Sequence, residues 1–185
     1  MIPMQFISQY VKHPRSVGAV LPSSPQLTQQ MVASINFDIA QCIVEYGPGT
    51  GVFTDQLIQK KQENTLLLVF ENNEKFHRIL QEKYEGIKNV HIIYDSAEHV
   101  SRYLRKYGFT NADYIVSGLP FASLPKEVSE QILTETRKVL GTEGEFITFQ
   151  YTKFKQKYFK TFFSDIEINK VILNMPPAFV FKCTR

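Results

Sequence analysis

The sequence lacks any apolar run long enough to cross a bilayer as a helix, and its start lacks the charged, apolar and cleavage regions of a signal peptide. It has two cysteines, Cys42 and Cys183, and their spacing does not fit a metal site. The four histidines are scattered, so we predict no metal centre. The net charge of +3 does not by itself indicate a nucleic-acid binder. These absences favour a cytoplasmic protein in a reducing compartment.

The length predicts one domain, because 185 residues without repeats or flexible linkers suffice for one sheet and its core. We separate an amino-terminal segment, 1–22, from a main domain, 23–185. Apolar residues fall at helical spacing in the first part of that segment, and Lys12, His13 and Arg15 follow them. Such a short amphipathic helix would either lie in an anionic membrane surface or pack over the main domain as a lid. The pattern leaves both alternatives open.

The segment 44–51, with the sequence VEYGPGTG, contains the most informative motif. It follows an apolar run and precedes a helical pattern, which predicts a strand, a glycine turn and a helix. Gly47, Gly49 and Gly51 leave the backbone open to a ligand, and Glu45 stands just before the turn. The spacing G-x-G-x-G differs from the G-x-G-x-x-G of dinucleotide-binding proteins. A plain turn is the alternative, since any tight turn uses glycine.

Acidic residues follow the next two predicted strands. The strand Leu66–Phe70 ends in Glu71, which is placed to accept hydrogen bonds from two ribose hydroxyls or, alternatively, to cap the helix that follows. The strand Val90–Tyr94 ends in Asp95, which we also expect to cap a helix over Ser96–Lys106. A further strand, beginning at Ala112, runs into the sequence SGLPF at 117–121.

These four segments together resemble class I S-adenosylmethionine (SAM) methyltransferases. The resemblance implies that SAM is the cofactor, that the glycine turn holds its amino-acid end, and that the third strand end meets the adenine edge. The residues assigned to the cofactor in this way are Glu45, Gly47, Gly49, Gly51, Glu71, Asn72, Asp95, Ser96, Ala97, Ser117, Gly118 and Leu119.

The loop at 117–121 resembles that of adenine N6-methyltransferases, including the ribosomal RNA dimethyladenosine synthases, in its Leu-Pro-Phe sequence. Those enzymes have a polar residue, often asparagine, where this chain has Gly118. The side chain that would orient the amine of the flipped base is therefore missing, which makes base methylation less favoured. The mild charge and the lack of a carboxyl-terminal helical domain also disfavour an RNA substrate.

Three segments resemble short soluble bacterial phospholipid N-methyltransferases: 15–24, the sequence SGLP at 117–120, and 174–180. The resemblance implies methylation of the amine of phosphatidylethanolamine or its methylated derivatives. We predict that Tyr151 and Phe121 position the amine and that Arg15 binds the lipid phosphate. A peripheral position at the inner face of the membrane would follow.

A second candidate for contact with an anionic membrane is the segment 151–160, in which lysines alternate with aromatic residues. A solvated helix with an aromatic core stripe explains the same pattern. Three function classes stay open: a lipid N-methyltransferase, a ribosomal RNA adenine methyltransferase, and a SAM-binding protein that is inactive or acts on another small molecule. The oligomeric state is not predicted.

The expected fold is an α/β Rossmann-like methyltransferase fold with helices on both faces of a seven-stranded, mostly parallel sheet with one antiparallel strand. The first core helix begins at Ser24 and Pro25, and a later one spans Lys126–Leu140 and stops at Gly141. The closing strands are predicted at Glu145–Tyr151, Lys170–Leu173 and Ala178–Lys182, and the sequence NMPP joins the last two in a hairpin-like turn.

Overall fold

The computed structural model describes residues 23–185. The predicted amino-terminal helix, the boundary at residue 22 and the proposed phosphate ligand Arg15 lie outside the described residues.

One leading helix is followed by alternating strands and helices. The helices are α1 (Pro25–Val32), α2 (Val52–Lys60), α3 (Glu74–Lys83), α4 (Val100–Lys106), α5 (Lys126–Val139) and α6 (Gln156–Phe159), with a 3-10 helix at Ala97–His99 leading into α4. The strands are β1 (Cys42–Tyr46), β2 (Leu66–Phe70), β3 (Val90–Ile93), β4 (Ala112–Ser117), β5 (Leu140–Gln150), β6 (Asp165–Val171) and β7 (Ala178–Thr184).

The strands form one sheet in the order β3-β2-β1-β4-β5-β7-β6. Strands β1 to β5 are parallel to one another, whereas β7 runs antiparallel to both of its neighbours, β5 and β6. Val171 pairs with Ala178 across the turn formed by residues 172–177, which we call the β6–β7 turn. The predicted seven-stranded sheet with one antiparallel strand is therefore confirmed.

Helices cover both faces of the sheet, as predicted. Apolar residues of α4, α5 and α6 pack with alternate strand residues in one buried cluster, and those of α1 and α2 pack in another on the opposite face. Alternation along β1 explains the division: Val44 joins the first cluster and Ile43 the second. Burial of this kind contributes about 25 cal/mol per Å² of apolar surface and is the main source of stability.

The start of α1 is confirmed. The Ser24 hydroxyl accepts a hydrogen bond from the Leu27 N–H at 3.1 Å, and Pro25 occupies the first turn, where its missing N–H costs nothing. The cap predicted at Asp95 is wrong. Ser96 caps the 3-10 helix instead, and the Asp95 carboxylate accepts from the Ser96 N–H at 2.7 Å.

Helix α5 ends earlier than predicted and passes directly into a strand. Leu140 already has extended backbone angles, so Gly141 lies within β5 and does not terminate the helix. Strand β5 thus begins well before the predicted Glu145 and ends at Gln150.

The last two strands also differ in their bounds. Strand β6 spans Asp165–Val171, not Lys170–Leu173, because its pairing with β7 ends at Val171. Strand β7 extends beyond Lys182 to Thr184. Predictions from apolar runs placed β6 too late, since the apolar residues after Val171 belong to the β6–β7 turn.

Candidate functional site

The carboxyl ends of four parallel strands bring the predicted cofactor residues to one edge of the sheet. Parallel pairing aligns Tyr46 with Phe70 and Ser117, and Phe70 with Ile93. The residues that follow β1, β2, β3 and β4 must therefore emerge side by side. They comprise Gly47, Gly49, Gly51, Glu71, Asn72, Asp95, Ser96, Ala97, Gly118 and Leu119, while Glu45 and Ser117 lie within the ends of their strands.

The glycine turn has a backbone that other residues rarely adopt. Gly47, Gly49 and Gly51 have φ angles of 62°, 57° and 85°. A Cβ on Gly51 would also lie 2.4 Å from the Tyr84 hydroxyl, and one on Gly49 would meet nothing within 4 Å. The space above Gly49 is thus open, which is the property a backbone cradle for a ligand requires.

Glu45 is a wholly buried carboxylate on β1, on the face covered by α2. Neither of its oxygens has a hydrogen-bond partner among the described residues. Burial raises its pKa to about 8; the nearby Thr54 hydroxyl, which makes no hydrogen bond of its own among the described residues, opposes this shift, and the charges of Asp55 and Glu71 add to it. An unpaired buried acid is costly, so this group is suited to a cationic ligand.

Glu71 lies at the tip of β2 and is also buried. Its Oε1 accepts from the Asn73 N–H at 2.7 Å. Burial raises its pKa, and backbone hydrogen bonds from Asn73, Gly49 and Asn72 oppose the rise. The carboxylate thereby connects the turn after β2 with the glycine turn.

Asp95 follows β3, and its carboxylate accepts hydrogen bonds from several donors. It accepts from the Ser96 N–H at 2.7 Å and from the Tyr103 hydroxyl at 2.9 Å, and its Oδ1 lies 2.8 Å from His99 Nδ1. Burial alone would raise its pKa, but the hydrogen bonds from His99, Ser96 and Tyr103 outweigh burial and lower the pKa. Asp95 is therefore a fixed, charged group at this edge.

The loop after β4 lies in close contact with the glycine turn. The Gly118 N–H donates to the Tyr46 carbonyl at 2.8 Å, and a Cβ on Gly118 would lie 2.5 Å from the Gly47 carbonyl oxygen. A Cβ on Gly47 would in turn lie 2.7 Å from Leu119 Cδ2. The two loops are close enough that a side chain at 118 would force the glycine turn to shift.

Two residues of β5 that the sequence analysis missed hold this loop. The Thr148 hydroxyl donates to the Ser117 carbonyl at 3.2 Å, and Gln150 Nε2 donates to the Leu119 carbonyl at 3.3 Å. Both side chains are buried polar groups in the second half of β5, where their neighbours Phe146, Ile147 and Phe149 are apolar. That interruption of the apolar pattern is the sequence signal that would have identified them.

The two predicted substrate-positioning residues have different surroundings. The Phe121 ring is wholly buried and packs edge to face against Phe146 and Phe159, with centroids 6.1 and 5.5 Å away. It is a core residue and presents no open face, so the role predicted for it does not fit this packing. Tyr151 follows β5 at the carboxyl edge, is partly exposed, and packs against Phe149.

The segment 151–160 divides between core and surface. Phe159 is wholly buried, as the aromatic-stripe alternative requires, but Phe154 is 90% exposed. Helix α6 occupies only Gln156–Phe159. Among residues 23–185, no helix is both long and apolar enough to span a membrane.

Comparison with known proteins gives a family and a fold. The family model described as ribosomal RNA adenine dimethylase matches residues 15–157. An ornithine lipid N-methyltransferase from Singulisphaera acidiphila is 29% identical over 181 residues, which cover 96% of this chain and 93% of that protein. A ribosomal RNA small subunit methyltransferase A from Borreliella afzelii is 33% identical over 108 residues, but these cover 57% of this chain and 35% of that protein.

Solved structures show the same architecture. An O-methyltransferase from Bacillus cereus in complex with SAH has a TM-score of 0.70 at 13% identity, covering 100% of this chain and 93% of its own. An rRNA methylase from Streptococcus thermophilus has a TM-score of 0.64 at 15% identity, covering 89% of this chain and 98% of its own. At such low identity these likenesses establish the fold alone.

Proposed function

Because this chain belongs to the ribosomal RNA adenine dimethylase family and is a SAM-dependent methyltransferase, we propose that its methyl acceptor is the amine of a lipid headgroup. The acceptor would be phosphatidylethanolamine or a methylated derivative. The observation that carries the proposal is the contact of Gly118 with the Gly47 carbonyl, which leaves no room for an amine-orienting side chain. The lipid N-methyltransferase relative, similar over nearly its whole length, supports it.

The residues at the carboxyl edge fit SAM. When bound, SAM supplies a methyl group on a positively charged sulfonium. Glu45 would accept from the ammonium of the amino-acid end, which would provide its unpaired oxygens with a partner. The open backbone at Gly49 would lie under that end, and Glu71 would accept from the ribose hydroxyls. Asp95, Ser96 and Ala97 would meet the adenine, with Asn72 beside the ribose.

The remaining task of the protein is to position the amine and to exclude water. An ethanolamine headgroup is an ammonium near neutral pH, so it would have to release a proton to solvent before its nitrogen could accept the methyl group. Tyr151 would hydrogen-bond the amine from the end of β5, beside the loop that Gln150 holds. Ser117, Gly118 and Leu119 would form the wall between cofactor and amine. Arg15 would bind the lipid phosphate.

Methylation of adenine N6 in ribosomal RNA is the second candidate, and the description of the matching family favours it. The sequence Leu119-Pro120-Phe121 also agrees with that activity. Against it, a planar base needs a ring to stack on, and Phe121 is wholly buried in the core. Methylation of another small-molecule amine is the third candidate. It would use the same SAM site, so only an assay with different substrates distinguishes it from the first two.

The deciding experiment supplies methyl-labelled SAM together with one acceptor at a time. The acceptors are phosphatidylethanolamine, an ornithine lipid, and ribosomal RNA, with the lipids presented in vesicles that contain an anionic lipid. We expect label in phosphatidylethanolamine and none in RNA. Label in RNA alone, or in neither lipid although SAM binds, would reject the lipid proposal.

Two variants test the residue roles in the same assay. Tyr151→Phe keeps the ring and removes the hydroxyl, so we expect a loss of kcat of about tenfold or more with SAM binding unchanged. The matched control is Tyr94→Phe, which removes a hydroxyl from a 47%-exposed tyrosine that follows β3. Full activity of Tyr151→Phe would exclude a polar role for Tyr151.

A further inference from the structure

The β6–β7 turn lies at the same edge of the sheet as the proposed SAM site. Gln150 at the end of β5 pairs with Phe179 at the start of β7, so the turn before β7 extends beyond the carboxyl end of β5. Strand β5 is parallel to β4, which carries the loop at 117–119. Strand β7 is two strand spacings, about 10 Å, from β4. The turn is thus a neighbour of the substrate side of the site.

This turn presents large apolar side chains to solvent. Ile172 is 68% exposed, Leu173 is 70% exposed and Met175 is 77% exposed. Phe154, which follows β5 at the same edge, is 90% exposed. Single exposed apolar residues are ordinary, but four at one edge form a patch of the kind that marks an interaction surface.

Lysines flank the patch in the segment 151–160 and at Lys170, whereas Lys182 lies toward the other end of β7 and pairs with Glu167 at 3.7 Å. The segments 151–163 and 168–182 contain six of the chain's 21 basic residues and none of its 18 acidic residues. Lys153 Nζ lies 5.2 Å from the centre of the Phe179 ring, which directly links the lysine-rich segment to the start of β7. The rest of the chain has more acidic than basic residues, so positive charge is concentrated here.

The turn is also held firmly to the domain. The Asn174 side chain is buried; its Oδ1 accepts from the Ser24 N–H at 3.0 Å and its Nδ2 donates to the Pro176 carbonyl at 2.7 Å. The two hydrogen bonds of Asn174 hold the turn in place. The turn therefore directs Ile172, Leu173 and Met175 outward. The hydrogen bond from Ser24 thus fixes the start of α1 against this same turn.

We propose that the β6–β7 turn and Phe154 insert into the headgroup layer of an anionic membrane, with the flanking lysines bound to its lipid phosphates. Apolar side chains within a cationic rim match the two features of such a surface, its apolar interior and its negative charge. An RNA partner would use the lysines but would leave the aliphatic side chains in water. The inference rests on the proposed function in one respect: docking here would bring a lipid amine to the site.

The test measures binding to vesicles that contain no amine acceptor, namely phosphatidylcholine with and without phosphatidylglycerol. We expect the protein to bind only the vesicles with phosphatidylglycerol and to be released by salt. Two double variants remove the apolar and the cationic part of the surface: Ile172→Ser/Leu173→Ser and Lys153→Glu/Lys155→Glu. Each should lower the partition coefficient of the protein between water and anionic vesicles by about tenfold or more.

Matched controls come from the opposite, amino edge of the sheet. Ile39, 71% exposed, precedes β1, so Ile39→Ser removes an equally exposed side chain there. Lys106 Nζ lies 5.6 Å from the centre of the Tyr107 ring, a distance similar to that between Lys153 and Phe179, so Lys106→Glu makes the same charge change per substituted residue. Both controls should bind vesicles as the unaltered protein does.

The outcomes separate docking from chemistry. Methylation of a monomeric, short-chain phosphatidylethanolamine needs no docking, so the double variants should keep full activity on it and lose activity on vesicles. Vesicle binding without any lipid methylation would reject the proposed function and keep the docking surface. Unchanged vesicle binding by both double variants, a loss of thermal stability as their only effect, or binding of RNA but not of vesicles would overturn the docking surface.

Discussion

Glu45 combines full burial with two unpaired oxygens, and this links its proton to both stability and ligand binding. Burial raises its pKa from 4.5 to about 8, so the folded protein without ligand keeps this proton at neutral pH. The unfolded chain releases it near the ordinary value. Between the two pKa values the folded state binds more protons, so the free energy of unfolding decreases as the pH rises.

We predict that Glu45→Gln removes this decrease, so that the variant matches or exceeds the stability of the original protein near pH 8. Urea unfolding across about pH 5 to 8 measures the slope. Binding of cationic SAM should favour the charged carboxylate, so affinity in the original protein should rise with pH and the variant should bind SAM at least about tenfold more weakly.

Glu143→Gln is the control for Glu45, since Glu143 is an exposed carboxylate near the amino end of β5. It should leave both the stability profile and the SAM affinity unchanged. If Glu45→Gln retains the affinity of the original protein at every pH, Glu45 does not contact the cofactor.

The chemistry-bearing residues are predictable from sequence where a motif coincides with a strand end. Gly47, Glu71 and Asp95 follow apolar runs, and parallel pairing alone then brings them to one edge. The burial of Phe121 was not predictable, because its ring packs against Phe146 and Phe159, which are distant in sequence. Side-chain direction after a Gly-Leu-Pro turn depends on such contacts.

At the scale of elements, Asn174 connects the β6–β7 turn with the start of α1. It bridges the Ser24 N–H and the Pro176 carbonyl from a buried position. We predict that Asn174→Ala lowers the free energy of unfolding by about 1–3 kcal/mol, since two backbone groups lose their partner. Asn174→Asp keeps the acceptor for Ser24 but sets a buried carboxylate oxygen against the Pro176 carbonyl, so it should lose no less stability than Asn174→Ala in urea unfolding.

Asn169→Ala is the matched control within β6. Asn169 Nδ2 donates only to Glu167 among the hydrogen bonds described for it, at the surface, so its loss should cost less than about 0.5 kcal/mol. Equal stability of Asn174→Ala and Asn169→Ala would mean that water replaces the bridge and that the turn does not depend on it.

The order and type of the elements were predictable, but several ends were not. Gly141 indicates a helix end, yet Leu140 is already extended and pairs with Ala112, so the strand begins before the glycine. The run Val171, Ile172, Leu173 resembles a strand, but the partner β7 starts at Ala178 and limits the pairing to Val171. Ends of this kind are set by a partner strand, which local sequence does not specify.

At the scale of the whole molecule, the candidate site borders the two apolar clusters, and Ala97 belongs both to the first cluster and to the proposed cofactor residues. The clusters fill both faces of the sheet, whereas the proposed cofactor residues lie along its carboxyl edge. The edge loops touch one another, as Gly118 touches Gly47 and Glu71 accepts from Gly49. A ligand that bridges these loops should therefore stabilise them together and leave distant turns unaffected.

We predict that SAH, the product of SAM after methyl transfer, slows amide hydrogen exchange in four segments, 47–52, 71–73, 95–99 and 117–119, and not in the β6–β7 turn. Saturation at about 100 times Kd should add about 2.7 kcal/mol to the free energy of unfolding, because the ligand binds the folded state alone. Exchange followed by mass spectrometry measures the pattern. Anionic vesicles should give the complementary pattern, with protection of the β6–β7 turn and the segment 151–160. Protection by SAH confined to one or two of the four segments would contradict a single cofactor site shared by all four loops.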